Sequence, residues 1–270
     1  MSTITLAPYN TPQRVTQLRI LRSEWTKMRT QPSVVWALLS TVVLMVGFGV
    51  LFALLRESHP PQTQASLASF DPAGISLAGV NLAQLAIGVL GILLVTNEYT
   101  SGLVRATFAA VPARLPVLWA KAVALVLTTV VLCVPAAFAA FLTGQSILSK
   151  QHLDTTLTHP GVTRAVLGCA LYLGGVGLLG LGLGALLRNP AAAISALLGA
   201  LFGLQLVLGF LPATVSDHIT RFLPSPAGIA VTATTPDPLS LAPWTGLAVF
   251  LLYPAVILAL AAYRMRRRDA

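Results

Sequence analysis

Six apolar stretches punctuate this chain: Ser33–Leu55, Gly74–Val95, Pro116–Gly144, Thr163–Leu187, Ala191–Leu211 and Pro243–Tyr263. Each can cross a hydrocarbon core, which takes about 20 residues of helix. None alternates polar and apolar positions as a barrel strand does. A spanning segment must also satisfy its own backbone, so the pattern predicts helices. The expected fold is an all-α integral membrane protein with six transmembrane helices. Residues 1–32 make an N-terminal tail, 33–263 the transmembrane domain and 264–270 a basic tail.

The polar stretches between these runs carry patterns of their own. In residues 12–31, Val15, Leu18, Leu21, Trp25 and Met28 recur at near-helical spacing among bases, with Arg22 and Arg29 at the stripe's edge. Long arginine stems can snorkel. The stretch therefore reads as an interfacial helix feeding the first span, in preference to a plain charged anchor. After the second run, residues 97–114 form a loop with a short helix expected over Ser101–Ala110 and closed by Pro112. Its Leu103, Phe108 and Val111 either dock another protein or pack beneath the bundle, and both readings stay open.

Between the fourth and fifth runs only Arg188-Asn189-Pro190 intervenes, a tight turn in which proline can open the next helix. The long connection Pro212–Ala242 differs. Leu211, Val215, Ile219, Phe222 and Leu223 predict a short amphipathic helix, and the prolines at 224, 226, 236 and 238 predict extended or re-entrant chain. Pro135 marks a kink within the third run.

Composition agrees with lipid as the solvent. The chain is 56% hydrophobic and 9% charged, against about 25% charged in a soluble domain. Its net charge of +9 comes from bases at segment ends. With the amino terminus inside, Arg14, Arg19, Arg22, Lys27, Arg29, Arg105, Arg114, Lys121, Arg188, Arg264, Arg266, Arg267 and Arg268 fall on the inner side. Arg56, Lys150, Arg164 and Arg221 fall outside. This asymmetry predicts a multi-pass protein of the cell membrane with both termini cytoplasmic. The bases form no patch interleaved with stacking aromatics, which argues against nucleic acid as a partner.

No secretory signal peptide is expected, because the first apolar run is too long for one. Cys133 and Cys169 lie inside apolar runs and read as small buried hydrophobes. His59, His152, His159 and His218 are scattered over outer loops without ligand spacing, so no metal site is expected.

Candidate chemistry is sparse. The chain contains no P-loop lysine motif, no HExxH and no Gly-x-Ser-x-Gly, and its eight acids sit in tails, loops or helix ends. No catalytic residue and no cofactor of its own are expected. One polar, thin face does stand out on the second run, where Asn81, Gln84, Gly88 and Gly91 align. The fifth run offers Ser195, Gly199, Phe202 and Gly209 along one side with Gln205 flanking. Such groups line a substrate path or subunit interface, or else glue helices together. Gly180/Gly184 and Gly199/Gly203 are GxxxG pairs that need no ligand, and residue spacing alone leaves the two readings balanced.

A family resemblance rests on two stretches. The run Arg22-Ser23-Glu24-Trp25-Thr26-Lys27-Met28-Arg29 precedes the first span. Asn97-Glu98-Tyr99, Gly102, Arg105, Thr107, Val111-Pro112, Arg114 and Ala120-Lys121-Ala122 follow the second. In these the chain resembles permease subunits of type-2 ABC exporters, specifically the small six-helix, actinobacterial-like form without a fused ATPase. The resemblance implies two permease copies, as a homodimer or heterodimer, each resting on a separately encoded ATP-binding subunit that holds ATP and Mg. It implies a coupling helix near Ser101–Ala110, with Glu98, Tyr99, Gly102, Arg105, Pro112 and Arg114 in the ATPase-coupling loop and Arg188 as a second contact. It makes Leu18, Leu21, Trp25 and Met28 part of an elbow helix, and it tips the polar faces of the second and fifth helices modestly toward a pathway. The implied function is export of an amphipathic drug, lipid or peptide by alternating access, with a glycan as a further substrate class. Two other readings remain: a non-transporting scaffold or immunity-type protein of the same topology, and a membrane-embedded hydrolase. The hydrolase would need clustered His, Asp or Ser at depth, which the chain lacks.

Overall fold

The structure, a computed structural model, describes residues 16–59, 61, 63, 70–100, 114–235 and 239–268. Among these residues there is no strand, and six helices are long and apolar enough to cross a membrane. The elements are α1 (Gln17–Thr30), α2 (Pro32–Ser58), α3 (Pro72–Ser76), α4 (Val80–Thr100), α5 (Arg114–Leu148) and α6 (Val162–Leu187). The fifth span, α7, runs over Pro190–Leu208, and α8 (Ala213–Thr220), α9 (Pro224–Ile229) and α10 (Pro243–Arg268) follow. Helix α1, the end of α4, the start of α5 and the end of α10 gather at one end of the bundle, called here the basic end. The other is the distal end.

Local chemistry explains the breaks. Gln31 is extended because Pro32 follows it, and that separates α1 from α2. Arg188 ends α6 in the left-handed region at φ 56°, Asn189 accepts from the Ala192 N–H at 3.0 Å, and Pro190 opens α7. The expected tight turn is thus a C-cap, an N-cap and a proline in succession. Within α7, residues Gly199–Gly203 form a π-turn, which shifts the register of the side chains beyond it.

The spans are not equivalent. Helix α6 is central, with 83% of its most apolar window buried inside the protein, whereas 17% is buried for α7 at the edge. Glycines let α4 and α6 touch backbone to backbone. A β-carbon at Gly180 would strike the Gly88 carbonyl, and one at Gly91 would strike the Gly177 carbonyl. Tyr172, Leu173 and Val176 of α6 join Ile92 of α4 and Phe250 of α10 in the main core.

Three boundaries differ from those expected. The run beginning at Gly74 splits into the short α3, a turn over 77–79, and α4 from Val80. Asp71 caps α3 by accepting from the Gly74 N–H at 2.8 Å, so a capped turn interrupts continuous hydropathy. At its far end α4 continues through Asn97, Glu98 and Tyr99, residues expected in a loop. Helix α10 likewise extends past Tyr263 to Arg268, so the basic tail residues Arg264, Arg266 and Arg267 are its last turns. A helix does not stop where apolarity does if its polar turns find partners.

The connection before the last span is folded. The amphipathic α8 exposes Ile219, and Phe222 just beyond it is exposed too. Pro224 and Pro226 then sit in the first turn of α9 instead of extending the chain. This segment and the 3₁₀ turn Ala230–Thr232 are almost wholly buried against α6 and α10. The expectation of extended chain is corrected for this part, since the prolines open a short helix. Pro236 and Pro238 lie outside the described residues. Pro135 lies within a continuous α5, as Pro254 does within α10.

Candidate functional site at the basic end

The most unusual side chain for a membrane protein is Lys121, two turns into α5 and only 7% exposed. A buried ammonium is tolerated only with opposite charge and hydrogen bonds around it. Its Nζ donates to Glu24 Oε2 at 2.6 Å and to Glu98 Oε1 at 2.7 Å. Lys27 Nζ meets the same two acids, donating to Glu24 Oε1 at 2.7 Å and Glu98 Oε1 at 3.2 Å. Among the described residues, two carboxylates and two ammonium groups thus meet in one cluster.

Each member comes from a different environment. Glu24 lies on the buried face of α1, in line with Ile20 and Met28 at helical spacing. Glu98 is in the last turns of α4, and Lys27 is on the half-exposed flank of α1. Burial works against ionising Glu24, but Lys121 and then Lys27 overcome it and hold its carboxyl below the ordinary range. For Lys27, burial pulls the pKa down while Glu24 and Glu98 more than compensate, and the value is raised. Both shifts favour the charged forms, so Glu24 and Lys27 stay ionised around neutral pH.

Apolar packing supports it. Met28 joins Val34, Leu94 and Leu118 in a second core, with Leu21 and Tyr99 packed against it, while Ile20 packs with Val117 and Ala120. The predicted stripe on α1 is consequently turned. Leu21 and Trp25 are half-buried and Met28 is buried, but Leu18 is 78% exposed. Val15 lies outside the described residues. The stripe rotates because Glu24, not an apolar residue, is the group that must face Lys121.

Beside the cluster, the Arg188 guanidinium stands over the Tyr99 ring, 5.2 Å from its centroid. Arg264 Nη1 donates to the Leu186 carbonyl at 2.6 Å, which ties the end of α10 to the end of α6. Glu98, Tyr99 and Arg188, picked out from sequence, are therefore close to one another. Gly102, Arg105 and Pro112 lie outside the described residues, and Arg114 is described only as the first residue of α5.

The residues proposed for a path or interface separate into two settings. Asn81 is exposed, whereas Gln84 is fully buried. Gln84 Nε2 donates to the Asn81 carbonyl at 2.9 Å and its Oε1 accepts from the Tyr172 hydroxyl, a clamp between α4 and α6. Gly88 lies in the same α4–α6 contact, where a β-carbon would also strike Leu197 of α7. On α7, Ser195 and Phe202 are exposed and Gln205 half-exposed.

Glu24, Lys27 and Lys121 were legible in sequence only as motif members or orientation signals, and the cluster gives them a joint role. The available clue was a pair of acids, Glu24 and Glu98, within otherwise basic segments. Cys133 and Cys169 are free and buried, and among the described residues no His, Cys, Asp and Glu group could hold a metal ion. No family model matches the chain, and no curated protein matches it in sequence.

Proposed function

We propose that this chain is the permease subunit of an ATP-driven exporter of the type-2 ABC kind, lying in the cell membrane with the basic end in the cytoplasm. Two copies would flank the exported molecule, an amphipathic drug, lipid or peptide, and a separate ATP-binding subunit would supply ATP hydrolysis with Mg. The observation that carries this reading is the position of the ion cluster. Glu98 and Lys121 flank residues 101–113, the segment expected to meet the ATPase, and are joined at 2.7 Å.

Through Glu24 and Lys27 both flanks are also fastened to α1. A push on the intervening segment would then move α1, α4 and α5 as one unit instead of being absorbed by a loose loop. The Arg188–Tyr99 stack adds the α6–α7 turn to the same assembly. Because α4 is packed backbone to backbone on central α6, displacement at the basic end reaches the middle of the bundle. That is the physical requirement for coupling, in which one contact biases a two-state bundle.

The test is whether a P-loop ATPase is encoded beside this chain and co-purifies with it, followed by transport and ATPase assays in proteoliposomes. The double variant Glu98→Ala, Arg105→Ala should insert normally and keep ATP hydrolysis. Its transport should fall about tenfold, the scale of a coupling free energy of about 1–3 kcal/mol. Undiminished transport would refute the coupling role. Failure of any ATPase to associate would favour the scaffold reading.

A further inference from the structure

We propose that the distal end carries an anion site for a phosphoester group, with Arg164 as its receptor. This site is separate from the basic-end cluster and does not depend on the exporter reading. A pocket of about 300 Å³ opens where the first turns of α6 and α10 meet the buried 3₁₀ turn, and Arg164, Thr234, Thr235, Ser240 and Pro243 are among its lining. Its volume is at the lower end of small-molecule sites, about 300–1,000 Å³.

The state of Arg164 points to an anion. Its Nη2 donates to the Ala233 carbonyl at 2.5 Å, which fixes the guanidinium at the pocket wall. Its Nε is buried and makes no hydrogen bond. Among the described residues no carboxylate lies within ion-pair distance of it. The other distal bases are placed differently. Lys150 pairs with Glu57 at 3.1 Å, Arg221 lies over the Phe222 ring at 5.0 Å, and Arg56 is exposed. Arg221 also has a buried Nε without a hydrogen bond, but its guanidinium is stacked on a ring, and of these four bases only Arg164 is in the pocket lining.

A partly desolvated, unpaired guanidinium is costly, and an anion removes that cost. The Asp71 carboxylate does not serve, since it accepts from the Gly74 N–H, the Thr234 N–H at 3.0 Å and the Thr234 hydroxyl. The amino ends of α6 and α10 add partial positive charge at the same level. Phosphate suits the site because the planar guanidinium fork matches two phosphate oxygens. The ends of two spans also place the pocket at headgroup depth, where lipid phosphates lie.

The experiment measures binding to the full chain in mixed micelles of phosphatidylglycerol and phosphatidylcholine by native mass spectrometry. A parallel calorimetric titration uses inorganic phosphate in lipid-free detergent. Binding in the first arm identifies a lipid headgroup and binding in the second a free phosphate, and binding in neither overturns the proposal. Arg164→Gln should weaken whichever binding occurs by about tenfold or more, the scale of lost charge-assisted hydrogen bonds, while Arg56→Gln should leave it unchanged. Should Arg164→Gln fail to fold, Thr235→Glu sets a repelling carboxylate in the lining and should abolish the same binding. Binding unaltered in the folded Arg164→Gln protein, or in the Thr235→Glu protein, overturns the proposal.

Discussion

At the residue scale, the described members of the ion cluster behave as a unit because each carboxylate is shared by two ammonium groups. Lys121→Met leaves the Glu24 carboxylate, 5% exposed, with only the half-exposed Lys27 as partner. Breaking a buried pair from one side costs about 3–5 kcal/mol. Removing Glu24 as well, as Glu24→Leu with Lys121→Met, leaves Lys27 paired with Glu98 at 3.2 Å and no orphaned charge. Thermal unfolding in detergent should therefore show a large loss for the single variant and substantial recovery in the double. A double variant no more stable than the single would mean that the four charges do not act together.

Protonation gives a second residue-scale test. Glu24 titrates below its ordinary value of 4.5 in the folded chain, so its contribution is present above 4.5 and lost as pH falls through the lowered value. Lys27 titrates above its ordinary 10.5, so its contribution is complete below 10.5 and lost as pH rises through the raised value. Lys27 is 46% exposed, so solvent screening makes the alkaline loss the smaller one. Trp25 lies next to Glu24 on α1. Its fluorescence, in a variant with the other three tryptophans replaced by Phe, should hold steady across neutral pH and change only at the acid and alkaline extremes. A transition between about pH 6 and 9 would contradict the lowered Glu24 and the raised Lys27.

At the element scale, two GxxxG pairs that look alike in sequence have different surroundings. Gly180 and Gly184 of α6 face the backbone of α4, while around Gly199 and Gly203 of α7 this chain places nothing within 4 Å of a β-carbon. Gly180→Val should push α4 and α6 apart and destabilise the subunit by about 1–3 kcal/mol, the usual cost of overpacking. Gly199→Ala with Gly203→Ala should leave the subunit's own stability unchanged. Thermal unfolding of the two variants side by side distinguishes them, and equal losses would mean that α7 is packed like α6. Helix α1 teaches a similar lesson, since its apolar stripe predicted a helix correctly but not which side faces the bundle.

At the scale of the whole molecule, the six spans were legible because crossing lipid demands long apolar helices, and each expected span has its counterpart. The basic-end site was legible in part. Glu98 and Tyr99 stood out through a family resemblance, in what reads as a loop, and Arg188 through its tight turn. The Lys121 bonds reach Glu24 across 97 positions and Glu98 across 23, distances over which spacing carries no pairing information. A lysine near a span end looks the same in sequence whether it orients the helix or neutralises a buried acid. The polar face of α4 was ambiguous for a related reason, because a glutamine in a span needs a partner and the sequence does not say whether ligand or tyrosine provides it.

Hydropathy, then, determined by itself that the chain is helical and where it can span, because the cost of bare backbone in lipid leaves no other solution. Prolines and capping residues determined several breaks, such as Gln31-Pro32 and Asn189-Pro190, because they act through their own dihedrals and neighbouring N–H groups. Only the tertiary structure decided which glycines bring helices together, which way α1 faces, and that Lys121 meets two acids while Arg164 lines a pocket with no described carboxylate in ion-pair distance. Those outcomes depend on which groups meet across the bundle. Electrostatic and packing energies fall off over a few ångströms in space and take no account of distance along the chain.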